Sequence, residues 1–130
     1  MLKTEIIASL KPILREKKFK KIRNYWYKEQ NEMTFYLNIQ GSAYSPDDFY
    51  VNLGVVFSRY DGKVPPTYDW DIFRRVFVDE KQINLNLEDV LSISDTFFKL
   101  FPTIEAVQIF AQNQKTKYEY IVISDHYKLI

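Results

Sequence analysis

The residues best suited to chemistry lie in two alternating runs. Tyr36, Asn38 and Gln40 occupy every second position of one, and Tyr50 and Asn52 of the other. In a strand, every second side chain points to the same face, so each set shares a face. Arg75 joins them if the stretch from Trp70 to Val78 is a third neighbouring strand, with Arg74 on its opposite side. Tyr and Arg are enriched where proteins meet partners. A face of Tyr36, Asn38, Gln40, Tyr50, Asn52 and Arg75 suits a polar or anionic partner surface. The alternative is a solvated or loop-covered sheet face with cross-strand polar pairs. Gly54, in the same row, is expected to leave a shallow gap within reach of Arg75.

A second set is electrostatic. Residues 1–30 hold nine Lys and Arg against three Asp and Glu, whereas residues 31–130 hold nine against fourteen. The densest part is Arg15, Lys17, Lys18, Lys20, Lys21 and Arg23, followed by Tyr25, Trp26 and Tyr27. Cations beside aromatics can grip phosphates and stack bases. They also suit the solvated end of a helix, where they complement its dipole.

Other arrangements point to no reaction. There is no cysteine and only one histidine, His126, which excludes thiolate chemistry and multi-His metal sites. Asp125-His126 has no accompanying nucleophile motif. Asp61, Asp69 and Asp71 lack the spacing of a calcium loop and read as solvated loop carboxylates. Gly41, Gly54 and Gly62 are isolated, so no phosphate-cradling glycine loop is present. No cofactor or metal site is expected.

The elements that position these residues follow from periodicity. Residues 2–17 repeat Leu2, Ile6, Leu10 and Leu14 at helical spacing, and Pro12 predicts a kinked or two-piece helix. Residues 23–29, 33–41, 48–58 and 70–78 read as strands. Gln30-Asn31-Glu32 marks a hairpin turn. Phe35, Leu37, Ile39, Phe49, Val51, Leu53, Val55 and Phe57 supply one core-facing side. Asn86 suits a helix N-cap, and apolar spacing predicts a helix up to Phe101. Pro102 opens a further helix, and 118–124 is a late strand or buried end. The order is α+β: an antiparallel sheet of about four strands, with the N-terminal helix and C-terminal helices on one face. At 130 residues, without repeat or linker, a single domain 1–130 is expected.

The run Leu10-Lys11-Pro12-Ile13-Leu14, then Phe19-Lys20-Lys21, Trp26-Tyr27, Asn38-Ile39-Gln40 and Phe49-Tyr50-Val51-Asn52-Leu53-Gly54-Val55 resembles the bacterial family catalogued as domain of unknown function 4304. The likeness is good over residues 2–80 and general beyond, where Phe101-Pro102 resembles the family's Leu-Pro. Lys18 stands where members usually carry Gly, which leaves the turn after the first helix open to differ. The resemblance implies a single-domain α+β bacterial protein and carries over no catalytic residue.

No apolar run reaches membrane-spanning length, and the N-terminus lacks the pattern of a secretion signal. The expectation is therefore a cytoplasmic, non-enzymatic module that binds another macromolecule, a protein ahead of a nucleic acid, through the polar-aromatic face. An immunity or accessory role in a toxin system would suit it. The alternatives are a nucleic-acid-associated module using residues 15–23, and an enzyme with an unrecognised site.

Overall fold

The computed structural model describes residues 3–41, 48–78, 87–103, 105–107, 109 and 121–123. Its core is a six-stranded antiparallel sheet whose spatial order is the chain order: β1 (Lys20–Ile22), β2 (Tyr25–Gln30), β3 (Met33–Gly41), β4 (Phe49–Val56), β5 (Ile72–Val78) and β6 (Ile121–Ile123). Helix α1 (Lys3–Glu16) precedes the sheet and α2 (Leu87–Lys99) falls between β5 and β6. The α+β class stands, with six strands rather than about four. The stretch 23–29 divides differently, because Arg23-Asn24 is a hairpin loop between β1 and β2, with Ile22 opposite Tyr25. Short, basic β1 has no alternation to announce it. The late segment does form a strand, at 121–123. The proposed cap at Asn86 and the Asp125-His126 pair lie outside the described residues.

Period-two burial explains why the helices gather on one side. Phe35, Leu37 and Ile39 on β3 and Phe49, Val51, Leu53 and Val55 on β4 face the helices in one core. Trp26 and Ile72 flank them from β2 and β5. Helix α1 contributes Ile6, Leu10 and Leu14, and α2 contributes Val90 and Phe97, each set at helical spacing. Phe98 of α2 stacks on Phe35 at 5.1 Å and 20°, which fixes the helix against the sheet. Beyond Pro102, the Thr103 hydroxyl accepts from the Ala106 amide at 3.1 Å, an N-cap for a helical turn at 105–107.

Pro12 does not divide α1; one helix runs through it. The physical reason lies in orientation. Pro12 and Ala8, whose carbonyl loses its amide partner, are both exposed, so that carbonyl is left on the solvent side rather than buried without a partner.

The turn after α1 keeps the form that glycine would give it. The Phe19 amide donates to the Leu14 carbonyl at 2.9 Å and the Lys18 amide to the Arg15 carbonyl at 3.0 Å. This double bond pattern ends a helix on a left-handed residue, and Lys18 takes that conformation at φ 73°. Asn31 and Glu32 also have positive φ, 51° and 65°, as a two-residue hairpin loop of the mirror-image type requires. A Cβ at such a position costs about 1–2 kcal/mol. Lys18→Gly is therefore expected to stabilise the chain by about 1 kcal/mol, read as a higher urea midpoint at unchanged slope. An unchanged or lower midpoint would contradict this geometry.

Candidate functional site

The face of the sheet away from the helices is divided in two. One half is aromatic and closed. Residues 57–71 fold across it and lay Trp70 on Gly54. A Cβ on residue 54 would sit 2.0 Å from Trp70 Cε3, so only glycine permits this approach. Trp70 stacks on Tyr36 at 5.4 Å and 14° and meets Phe73 edge-on at 5.9 Å. Its indole N–H donates to the Pro65 carbonyl at 2.9 Å. Tyr60 packs on Tyr27 at 4.2 Å.

Asp71 holds this cover at its base. Its Oδ2 accepts from the Phe57 amide at 2.7 Å, while its own amide donates to the Val55 carbonyl at 3.0 Å. Asp71 is thus buried rather than a solvated loop carboxylate, unlike exposed Asp69. The gap expected at Gly54 is also corrected. Trp70 fills it, and Phe73 rather than Arg75 stands opposite Gly54.

The other half is polar and opens to solvent at its rim. Asn38 pairs with Asn52, Gln40 with Tyr50, and Asn52 with Arg75. Asn52 Nδ2 donates to Asn38 Oδ1 at 2.9 Å and to Gln40 Oε1 at 3.0 Å. Arg75 Nε donates to Asn52 Oδ1 at 2.9 Å and its Nη2 to Gln40 Oε1 at 3.2 Å. Asn38 Nδ2 donates in turn to the Asn24 carbonyl at 3.1 Å. The guanidinium also lies over Tyr50 at 4.7 Å and Phe73 at 5.5 Å, positions of cation–π attraction.

Five of the six residues singled out by alternation therefore meet: Asn38, Gln40, Tyr50, Asn52 and Arg75. Tyr36 belongs to the closed half, at 1% exposure. Asn38 and Asn52 are buried as well, and their bonds make them a structural anchor. What remains accessible is a rim of Gln40, half-buried Tyr50, Arg75 and, beside them, Phe77, whose ring packs on Tyr50 at 5.2 Å. Sequence reasoning missed Phe73 and Phe77, although the alternation that placed Arg75 on this face places them there too.

The basic segment 15–23 lies elsewhere. Lys11 and Arg15 of α1, Lys20 and Lys21 of β1 and Arg23 line a groove of about 480 Å³ with Phe19 and Trp26. Lys17 is not in it; it pairs with Asp95 of α2 at 2.8 and 2.9 Å. Among the described residues, no three metal-ligating side chains cluster, and no helix is long and apolar enough to cross a membrane.

A meander sheet with helices on one face, and a half-covered polar-aromatic surface on the other, defines a class of small α+β domain. The chain belongs to the family described as Domain of unknown function (DUF4304), whose model matches residues 10–122. Neither the curated proteins nor the solved structures contain a match to it.

Two expectations follow from the geometry. Asn52→Ala strips partners from Asn38, Gln40 and Arg75 and should cost about 1–3 kcal/mol, whereas Gln40→Ala at the exposed end should cost less than about 1 kcal/mol. Equal costs in urea unfolding would contradict the division into anchor and rim. Burial, with a smaller contribution from Tyr60, pushes the Tyr36 hydroxyl up from 10.0 to about 12. The folded state therefore holds its proton after the unfolded chain has released it. The contribution is intact below about pH 10 and is lost as pH rises towards 12. Stability measured over that window should fall more steeply for the native chain than for Tyr36→Phe; parallel slopes would contradict the shift.

Proposed function

We propose that this is a non-enzymatic bacterial cytoplasmic protein that binds another protein through the open rim of its sheet, in the manner of an immunity or accessory protein of a toxin system. One observation carries the reading: Arg75 is held in place before any partner arrives. Asn52 and Gln40 fix the guanidinium from one side and Tyr50 supports its plane. Among the described residues it uses two of its five N–H donors inward. A preset fork loses little side-chain entropy on meeting a carboxylate and can bond it bidentately. Tyr50 and Phe77, the latter 37% exposed, add aromatic area beside it, a composition typical of binding hot spots. The matching partner presents a carboxylate next to an apolar patch.

The test is affinity capture from the source cell with the native chain, Arg75→Lys and Phe77→Ser. Arg75→Lys keeps the charge and removes the planar fork. A single acidic partner should be retained by the native chain and lose about tenfold or more of its affinity in either variant, with thermal midpoints little changed. A partner retained equally by all three would overturn the rim as the docking site.

A further inference from the structure

The groove at the β1 edge has no part in that reading. It lies on the helix side of the sheet, since Trp26, which lines it, is a member of the core between helices and sheet. Lys11 and Arg15 stand one helical turn apart on α1, about 5–6 Å between Cβ atoms. Lys20, Lys21 and Arg23 reach the same concavity from β1 and its hairpin loop. All five are exposed, and no carboxylate is among the lining residues. Like charges set this closely raise the local potential and draw anions in.

A second observation comes from Trp26. It is 1% exposed, and its indole N–H has no hydrogen-bond acceptor, although buried donors are nearly always paired. Lys21 partly covers the ring, its ammonium 5.5 Å from the centroid, and donates to the Arg23 carbonyl. The groove thus gathers five cations beside a tryptophan whose buried donor lacks an acceptor. By contrast, Trp70, the other tryptophan, has its N–H bonded to the Pro65 carbonyl.

We propose that this groove binds the phosphodiester backbone of a nucleic acid, through Lys11, Arg15, Lys20, Lys21 and Arg23. Several cations converging from two elements suit a ligand that repeats its negative charge. Because Trp26 is buried, its ring offers no platform for base stacking, so recognition is by phosphate and is independent of sequence. The site is separate from the Arg75 rim on the opposite face, and either can fail without the other.

The experiment is anisotropy titration of a fluorescent single-stranded oligothymidylate against the full chain at 25 to 200 mM salt, with two-dimensional NMR of the two indole N–H groups. Five phosphate contacts on a single strand correspond to a slope of about −3.5 in log affinity against log salt. Combining Lys11→Gln, Arg15→Gln, Lys20→Gln and Arg23→Gln leaves Lys21 over Trp26. It should weaken binding by at least about tenfold and bring the slope to about −1 or shallower, with the circular dichroism spectrum unchanged. Phe77→Ser should bind as the native chain does. The Trp26 indole resonance should move on titration while that of Trp70 stays. No binding at 25 mM salt, equal binding by the fourfold variant, a stationary Trp26 resonance, or preference for anionic phospholipid vesicles over the oligonucleotide would each overturn the proposal.

Discussion

The contact on which the outer face depends is a tryptophan ring lying directly on a backbone. Trp70 can rest on β4 because Gly54 has no Cβ, and the clearance leaves no room for one. That contact aligns Trp70 with Tyr36 on one neighbouring strand and Phe73 on the other. It buries Val56 and brings the segment back so that Asp71 can bond to the end of β4. The chain leaving β4 thus returns to begin β5 in antiparallel register. The loss of conformational freedom in this long connection is offset by aromatic burial.

This closure decides what the outer face can do. An open polar sheet would offer all six alternating residues to a partner. With Trp70 in place, Tyr36 is sealed, and Asn38 and Asn52 have bonds in several directions within the sheet. Buried amides satisfied in this way are rigid, because an unmade bond in such a place is costly. Rigidity passes outward to Arg75, which is exposed yet fixed. A buried amide pair supporting a surface guanidinium links the buried and the accessible parts of the face. The basic groove owes nothing to this arrangement; it follows from α1 ending beside the first hairpin.

Much of this was legible in the residue pattern. Alternation on β3 and β4 is clear because their helix-facing side is wholly apolar and their outer side is not, so register and facing followed directly. Arg75 fell on the outer face by the same count. Trp70 did not, because a residue opening a β-branched, aromatic stretch reads as part of a strand, whereas its ring is the cover over Gly54. Gly54 read as a shallow gap, because a missing side chain does not say what fills its place. At Pro12 the helix is not split in two: the apolar spacing of Ile6, Leu10 and Leu14, all buried against the sheet, carries it through the proline. At Lys18 the glycine-type turn forms with lysine in it, because Phe19 reaches the core and holds the backbone there.

The central claim, that Trp70 on Gly54 closes half of the outer face, is tested most directly by iodide quenching of Trp70 fluorescence, with Trp26→Phe to remove the second indole and Gly54→Ala to break the contact. The account predicts blue-shifted emission that resists iodide when residue 54 is glycine. With alanine there, it predicts red-shifted, readily quenched emission and a thermal midpoint lowered by several degrees, since overpacking costs about 1–3 kcal/mol. Emission from Trp70 that is already solvent-like with glycine at 54, or that is unmoved by the added methyl group, would contradict it.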